Sequence, residues 1–298
     1  MVHPPIPRWV GIALLLAIAT IFGGNHIAAR VAFDHGSNVT TAVAFRSSGT
    51  ALIVLALLLF NGVPLRVPGA TFARSVLIGL LIAIQSYCLY SAVAVIPVAL
   101  ALLVFQTFPM LLALTSWVAG GERPARRVLL AMPVALIGLA FALDVWGKSG
   151  DVAGRWAEVG VGVLWALGAS VSFAMALYLM TRWLGSMDGR LRSFLSMCVV
   201  AVVTLAGGTL ADAFALPVDR TGWMALALLT IFYAIAITSV FVLLPRLGAV
   251  NNAAVLNFEP IAVLGLAWLI LGQAVAPLQI VGAFIVVGAI AWMGSGKR

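Results

Sequence analysis

The chain has 298 residues, 63% of them hydrophobic and only 9% charged, with a formal net charge of +8. A soluble domain carries about 25% charged and about 45–50% apolar residues, so too little polar surface remains to cover a water-soluble particle of this size. That argues against a cytosolic enzyme, a secreted disulfide scaffold and a disordered chain, and points to an integral membrane protein.

A helix needs roughly 20 apolar residues to cross about 30 Å of hydrocarbon. Ten such spans follow one another, at about 9–29, 40–60, 73–95, 97–119, 125–144, 158–181, 191–211, 221–244, 249–271 and 277–294. None shows the strict alternation of a membrane barrel. The first span follows the short segment 1–8 without a small-residue cleavage site, so a retained helix is expected. Asn61-Gly62-Val63-Pro64 ends the second span, Gly120-Gly121-Glu122-Arg123-Pro124 ends the fourth, and 147–154 is a polar connector after the fifth. Cys88 and Cys198 lie inside apolar runs and read as small apolar residues.

The basic residues orient these spans. One side collects Arg8, Arg66, Arg74, Arg123, Arg126, Arg127, Arg182, Arg190, Arg192, Arg246, Lys297 and Arg298. The other holds Arg30, Lys148, Arg155 and Arg220, and Arg46 stands near the start of a span. Cytoplasmic loops carry the Lys/Arg excess, so both termini are expected in the cytoplasm. The positive net charge is thereby accounted for without a nucleic-acid partner.

Shifted by 151 residues, the halves align. Leu16 falls on Leu167, Phe22 on Phe173, Val104 on Val255, Gln106 on Asn257, Pro109 on Pro260, Trp117 on Trp268, Gly121 on Gly272, and Glu122 on Gln273. The expected domains are therefore two five-helix repeats, 1–150 and 151–298. Five spans is an odd number, so the second copy enters the bilayer from the opposite face. Inverted repeats allow two conformations, each open to one side, which is the requirement for alternating access.

These features resemble the drug/metabolite transporter superfamily, its EamA family and, within that, the YddG-type amino acid exporters. Phe45-Arg46 resembles the family's aromatic-arginine element, and Gly121-Glu122 its repeat ending; Gly272-Gln273 departs from that ending, an amide replacing the acid. The resemblance implies an all-α polytopic protein that exports small metabolites across the bacterial inner membrane. Amino acids, bulky hydrophobic ones included, are the substrates it suggests.

Polar residues within the spans are the candidate site. Glu259 precedes Pro260 in the ninth span, and an acid near mid-membrane costs about 2.5–3.5 kcal/mol unless it faces a cavity or a partner. Substrate contact or proton sensing is one reading; a structural pair with an arginine or amide is the other. Phe108 stands at the equivalent place before Pro109, so the acid is an asymmetric addition. Asn25 and His26 follow Gly23-Gly24; His26 is either a proton carrier or a packed ring near the outer interface. Arg46 is either a gate residue paired with an acid or a snorkelling one. Gln106 and Asn257, beside the two prolines, either bind substrate or join helices. Gln85, Tyr90, Trp165, Ser172 and Tyr233 complete the expected lining, and Pro109 and Pro260 the expected hinges.

No phosphate-binding Gly-rich loop, no metal-ligand cluster and no catalytic pair is present, so neither a cofactor nor an enzymatic activity is expected. Partners are a small-molecule substrate and the bilayer, and a monomer is expected. The alternatives are a multidrug carrier, a nucleotide-sugar carrier (disfavoured by the scarcity of deep cations) and a channel, which would show a polar ring.

Overall fold

The computed structural model of the protein describes residues 8–120, 124, 126–142, 152–247, 258–274 and 276–294, and no strand occurs among them. The helices are α1 (Arg8–Asp34), α2 (Val39–Phe60), α3 (Gly69–Val95), α4 (Val98–Phe105), α5 (Phe108–Val118) and α6 (Arg126–Ala142). The second half contributes α7 (Val152–Leu184), α8 (Gly189–Leu210), α9 (Arg220–Leu247), α10 (Glu259–Leu271) and α11 (Pro277–Gly294). Among the described residues seven stretches are long and apolar enough to cross a membrane, with α4 and α5 together forming one of them; Val128–Ala142, Glu259–Leu271 and Pro277–Trp292 are shorter apolar helices.

Local chemistry sets the ends. Asn38 opens α2 by accepting a bond from the Thr41 amide at 2.9 Å, and Asp188 opens α8 by accepting from Arg190 N at 2.8 Å. Asp219 does the same for α9 through Gly222 N at 2.8 Å. Each side-chain oxygen satisfies an amide that the first helical turn leaves unpaired. Pro97 forces Ile96 into extended backbone and so separates α3 from α4. Gly272 closes α10 in the left-handed conformation, φ 62°, where a side chain is disfavoured.

The fourth expected span is divided. α4 stops at Phe105, Gln106 and Thr107 form the break, and α5 restarts with Pro109 in its first turn. α10 likewise starts with Pro260 in its first turn. The first part of the expected ninth span, Asn257 included, lies outside the described residues.

Packing runs between the halves. α1 lies against α9 and α10, α3 against α7 and α8, α2 against α8 and α9, α7 against α4 and α5, α4 against α10, and α6 against α11. One core joins Ile27, Val93, Leu103, Val163, Val263 and Val286; a second joins Val43, Ile78, Tyr90, Val200, Leu226 and Leu229. In lipid, such helices associate by close packing rather than by escape from water. Large apolar residues such as Leu52, Phe60, Val202, Leu210 and Leu269 point outward, as a hydrocarbon-facing surface requires.

The connection between α1 and α2 is tied to the one between α8 and α9. Asn38 Nδ2 donates to Ala213 O at 2.7 Å, Ala215 N donates to Thr41 Oγ1 at 3.1 Å, and His35 Nδ1 lies 2.6 Å from Asp219 Oδ2. Gly36 sits in this knot at φ 90°, and a Cβ there would come within 3.0 Å of Val218.

Candidate functional site

The buried polar groups gather where α1, α2, α3, α9 and α10 meet. Gly23 lets α1 approach α10, since a Cβ there would lie 2.8 Å from Val263 Cγ2. That approach brings His26 Nε2 to 3.3 Å from Glu259 Oε1. The imidazole is enclosed, whereas the Glu259 side chain is 26% exposed. The acid stands in the first turn of α10, where the helix dipole favours negative charge.

Tyr90 is the hub. It is fully buried and donates its hydroxyl proton to Asn25 Oδ1 at 2.9 Å. The His26 ring meets it edge-on at 5.9 Å, and Phe33 does so at 6.2 Å. The Arg46 guanidinium lies 4.8 Å from the Tyr90 centroid and 4.3 Å from that of Tyr233, a double cation–π contact. Phe22 packs edge-on against Tyr233 at 5.9 Å.

Arg46 Nη2 also donates to Ser86 Oγ at 2.6 Å, and Ser86 passes its own proton to Gln85 Oε1 at 3.3 Å. Three buried nitrogens around Tyr90 nevertheless have no partner: Asn25 Nδ2, His26 Nδ1 and Arg46 Nε. Buried polar atoms are almost always satisfied, and these three lie together around one ring.

The structure thus brings together Asn25, His26, Arg46, Gln85, Tyr90, Tyr233 and Glu259. Arg46 sits two turns inside α2 and is 3% exposed, so it neither snorkels nor joins any ion pair among the described residues. Gln106 is buried at the α4–α5 break. Ser172 is half-buried on α7, beside Phe173, whose ring contacts Phe105 at 5.5 Å and Phe108 at 4.9 Å. Trp165 stands apart from this group. It is 39% exposed and, with Tyr87 at 6.5 Å between ring centres, lines an open apolar groove among α2, α3, α7 and α8.

Two polar side chains with telling contacts lie outside the residues the sequence singles out. Ser86 is one, because only its geometry shows that it holds a guanidinium. Ser170 on α7 is the other. Its hydroxyl lies 2.9 Å from Phe105 O, the carbonyl that Pro109 deprives of its helical donor.

Bundled apolar helices around a buried polar centre are the architecture of a polytopic membrane protein. Two stretches, residues 9–143 and 160–295, match the model of the EamA-like transporter family. The chain belongs to the EamA-like transporter family, within the drug/metabolite transporter superfamily. It is therefore a membrane transporter of that type. Sixteen chains of solved structures match. One crystal structure is similar over 95% of this chain and 97% of its own, with a TM-score of 0.60 at 20% identity, a likeness of fold alone. No curated protein matches.

Proposed function

We propose that the protein is a secondary transporter that exports amino acids, bulky hydrophobic and aromatic ones included, or related small metabolites by alternating access. The observation that carries this reading is the buried cluster around Tyr90. It sets a cation at Arg46 and an acid at Glu259 among the aromatic rings of Phe22, Tyr90 and Tyr233. A solute with a carboxylate, an ammonium and an apolar side chain is complementary to that arrangement.

The packing pattern supports ten spans in two inverted repeats. Exchanging the halves turns the α1–α9 pair into α7–α3, the α2–α9 pair into α8–α3, and the α1–α10 pair into α7–α5. The α2–α8 and α6–α11 pairs map onto themselves. A pocket between such halves opens to either side when they exchange shapes. The helix break before Pro109 and the start of α10 at Glu259-Pro260 supply the hinges of this mechanism. The basic residues favour both termini in the cytoplasm; the family resemblance suggests the bacterial inner membrane, and a monomer completes the reading.

The cycle in this reading runs down the solute gradient. Uptake of an amino acid panel into liposomes holding the purified protein tests it: saturable flux that is unchanged by an imposed pH gradient is expected. A second reading, a proton-coupled efflux carrier for drugs or metabolites, draws on the His26–Glu259 contact. It is favoured instead if flux follows the pH gradient and hydrophobic cations, not amino acids, are carried.

A further inference from the structure

We propose that Arg46 takes the carboxylate of the transported solute, with the Asn25 amide as second donor; this rests on the amino acid reading above. Arg46 is almost wholly buried, yet none of the ion pairs among the described residues includes it. A buried guanidinium without a counter-ion is costly, and the two tyrosine faces and Ser86 offset only part of that cost. Its Nε has no acceptor.

Asn25 is fully enclosed, its carbonyl oxygen committed to the Tyr90 hydroxyl and its Nδ2 idle. Both idle donors therefore border the same ring. Donors without a neighbouring acceptor select an anion, and the planar guanidinium fork matches a planar carboxylate. Glu259 stands on the far side of His26 as the acidic group of the cluster, open enough to receive an ammonium. The site so built discriminates for a zwitterion and against the same molecule with its acid blocked. Entry displaces the half-buried Tyr233 ring on α9, the wall of the guanidinium that belongs to the second half of the chain.

The test uses the full-length protein in detergent and in liposomes. The probes are L-phenylalanine, L-threonine, their α-amides and 3-phenylpropionate. Wild type is expected to bind the acids about 10- to 100-fold more tightly than the amides, the span that a hydrogen bond to a charged group carries. Arg46→Gln should abolish that preference, Arg46→Lys should keep part of it, and Asn25→Leu should reduce it.

Wild type that binds amides as well as acids overturns the inference, and so does a folded Arg46→Gln variant that keeps the preference. Where Arg46→Gln fails to fold, an unreduced preference in Asn25→Leu overturns it. Amino acid flux without carboxylate preference sinks the anion site and leaves the proposed function standing. Arg46-dependent binding of 3-phenylpropionate without flux of any amino acid does the reverse. Neither binding nor flux removes both.

Discussion

His26 Nε2 lies 3.3 Å from Glu259 Oε1 and so ties the later part of α1 to the opening turn of α10. The two residues come from opposite halves of the chain, and Phe108 occupies the acid's equivalent position in the first half. The link is therefore one-sided in a bundle whose packing is otherwise reciprocal. It belongs to one wall of the cluster, the wall that moves when α10 moves relative to α1.

Groups that act as a pair are non-additive. His26→Leu and Glu259→Gln should each lower amino acid flux, and the double variant should be no worse than the more damaging single one. A coupling of about 0.5–3 kcal/mol, read from flux and from melting temperature, is expected for residues in contact. Strictly additive effects would show that the two side chains act separately.

α6 and α11 approach along small residues. A Cβ on Gly282 would lie 2.5 Å from Gly138 O, and one on Gly138 would lie 2.9 Å from Val286 N. Backbone cannot yield as a flexible side chain does. Gly282→Ala should destabilise the protein by about 1–3 kcal/mol, the usual cost of overpacking, with flux per folded molecule unchanged because this pair stands outside the Tyr90 cluster. Gly265, around which a new Cβ meets nothing within 4 Å, is the control. Gly265→Ala should be neutral or slightly stabilising in the same thermal assay.

Asp219 caps α9 outside the apolar spans. The Gly222 amide first, and the His35 ring second, hold its carboxyl below the ordinary carboxylate value. A carboxyl depressed in the folded state adds stability above its unfolded value, about 3.9, and loses it as pH falls through the folded value. Asp219→Asn keeps a capping oxygen and removes the charge. Wild type should therefore melt higher than this variant at pH 7, and the gap should narrow progressively as pH falls below about 4. A gap that persists there assigns the difference to something other than this carboxyl.

Helix limits were legible because local chemistry sets them: α11 starts at Pro277, and α2 and α8 begin within two residues of the expected places. Rotation about each helix axis was not legible. The sequence points to Ser172 on α7, whereas it is the Ser170 hydroxyl that reaches Phe105 O. Two residues apart on a helix means nearly opposite faces, and an apolar span of low amphipathicity leaves no periodic signal to choose between them. Trp165, 39% exposed, lies on a different face of its helix from the Tyr90 cluster for the same reason. Arg46 was placed near a mouth because it stands close to a span boundary. Yet α2 begins at Val39, and two turns of helix carry the guanidinium inside.

Pro109 and Ser170 form a compensated defect. Proline has no N–H, so Phe105 O loses its helical donor, and the Ser170 hydroxyl reaches it at 2.9 Å from α7. The same hydroxyl lies 3.0 Å from Ala166 O and 3.4 Å from Val104 O, but it has only one proton to give. Ser170→Ala strands a half-buried carbonyl and should cost about 1 kcal/mol. Pro109→Ala restores an N–H that can serve Phe105 O, so it should shrink the penalty of Ser170→Ala when the two are combined. The cycle is measured by melting in detergent, and flux is followed in parallel. Pro109→Ala should slow transport even where it stabilises, because it lets α4 and α5 join into one stiff helix. An undiminished Ser170→Ala penalty in the Pro109→Ala background would mean that the hydroxyl serves its own helix at Ala166 and not the break.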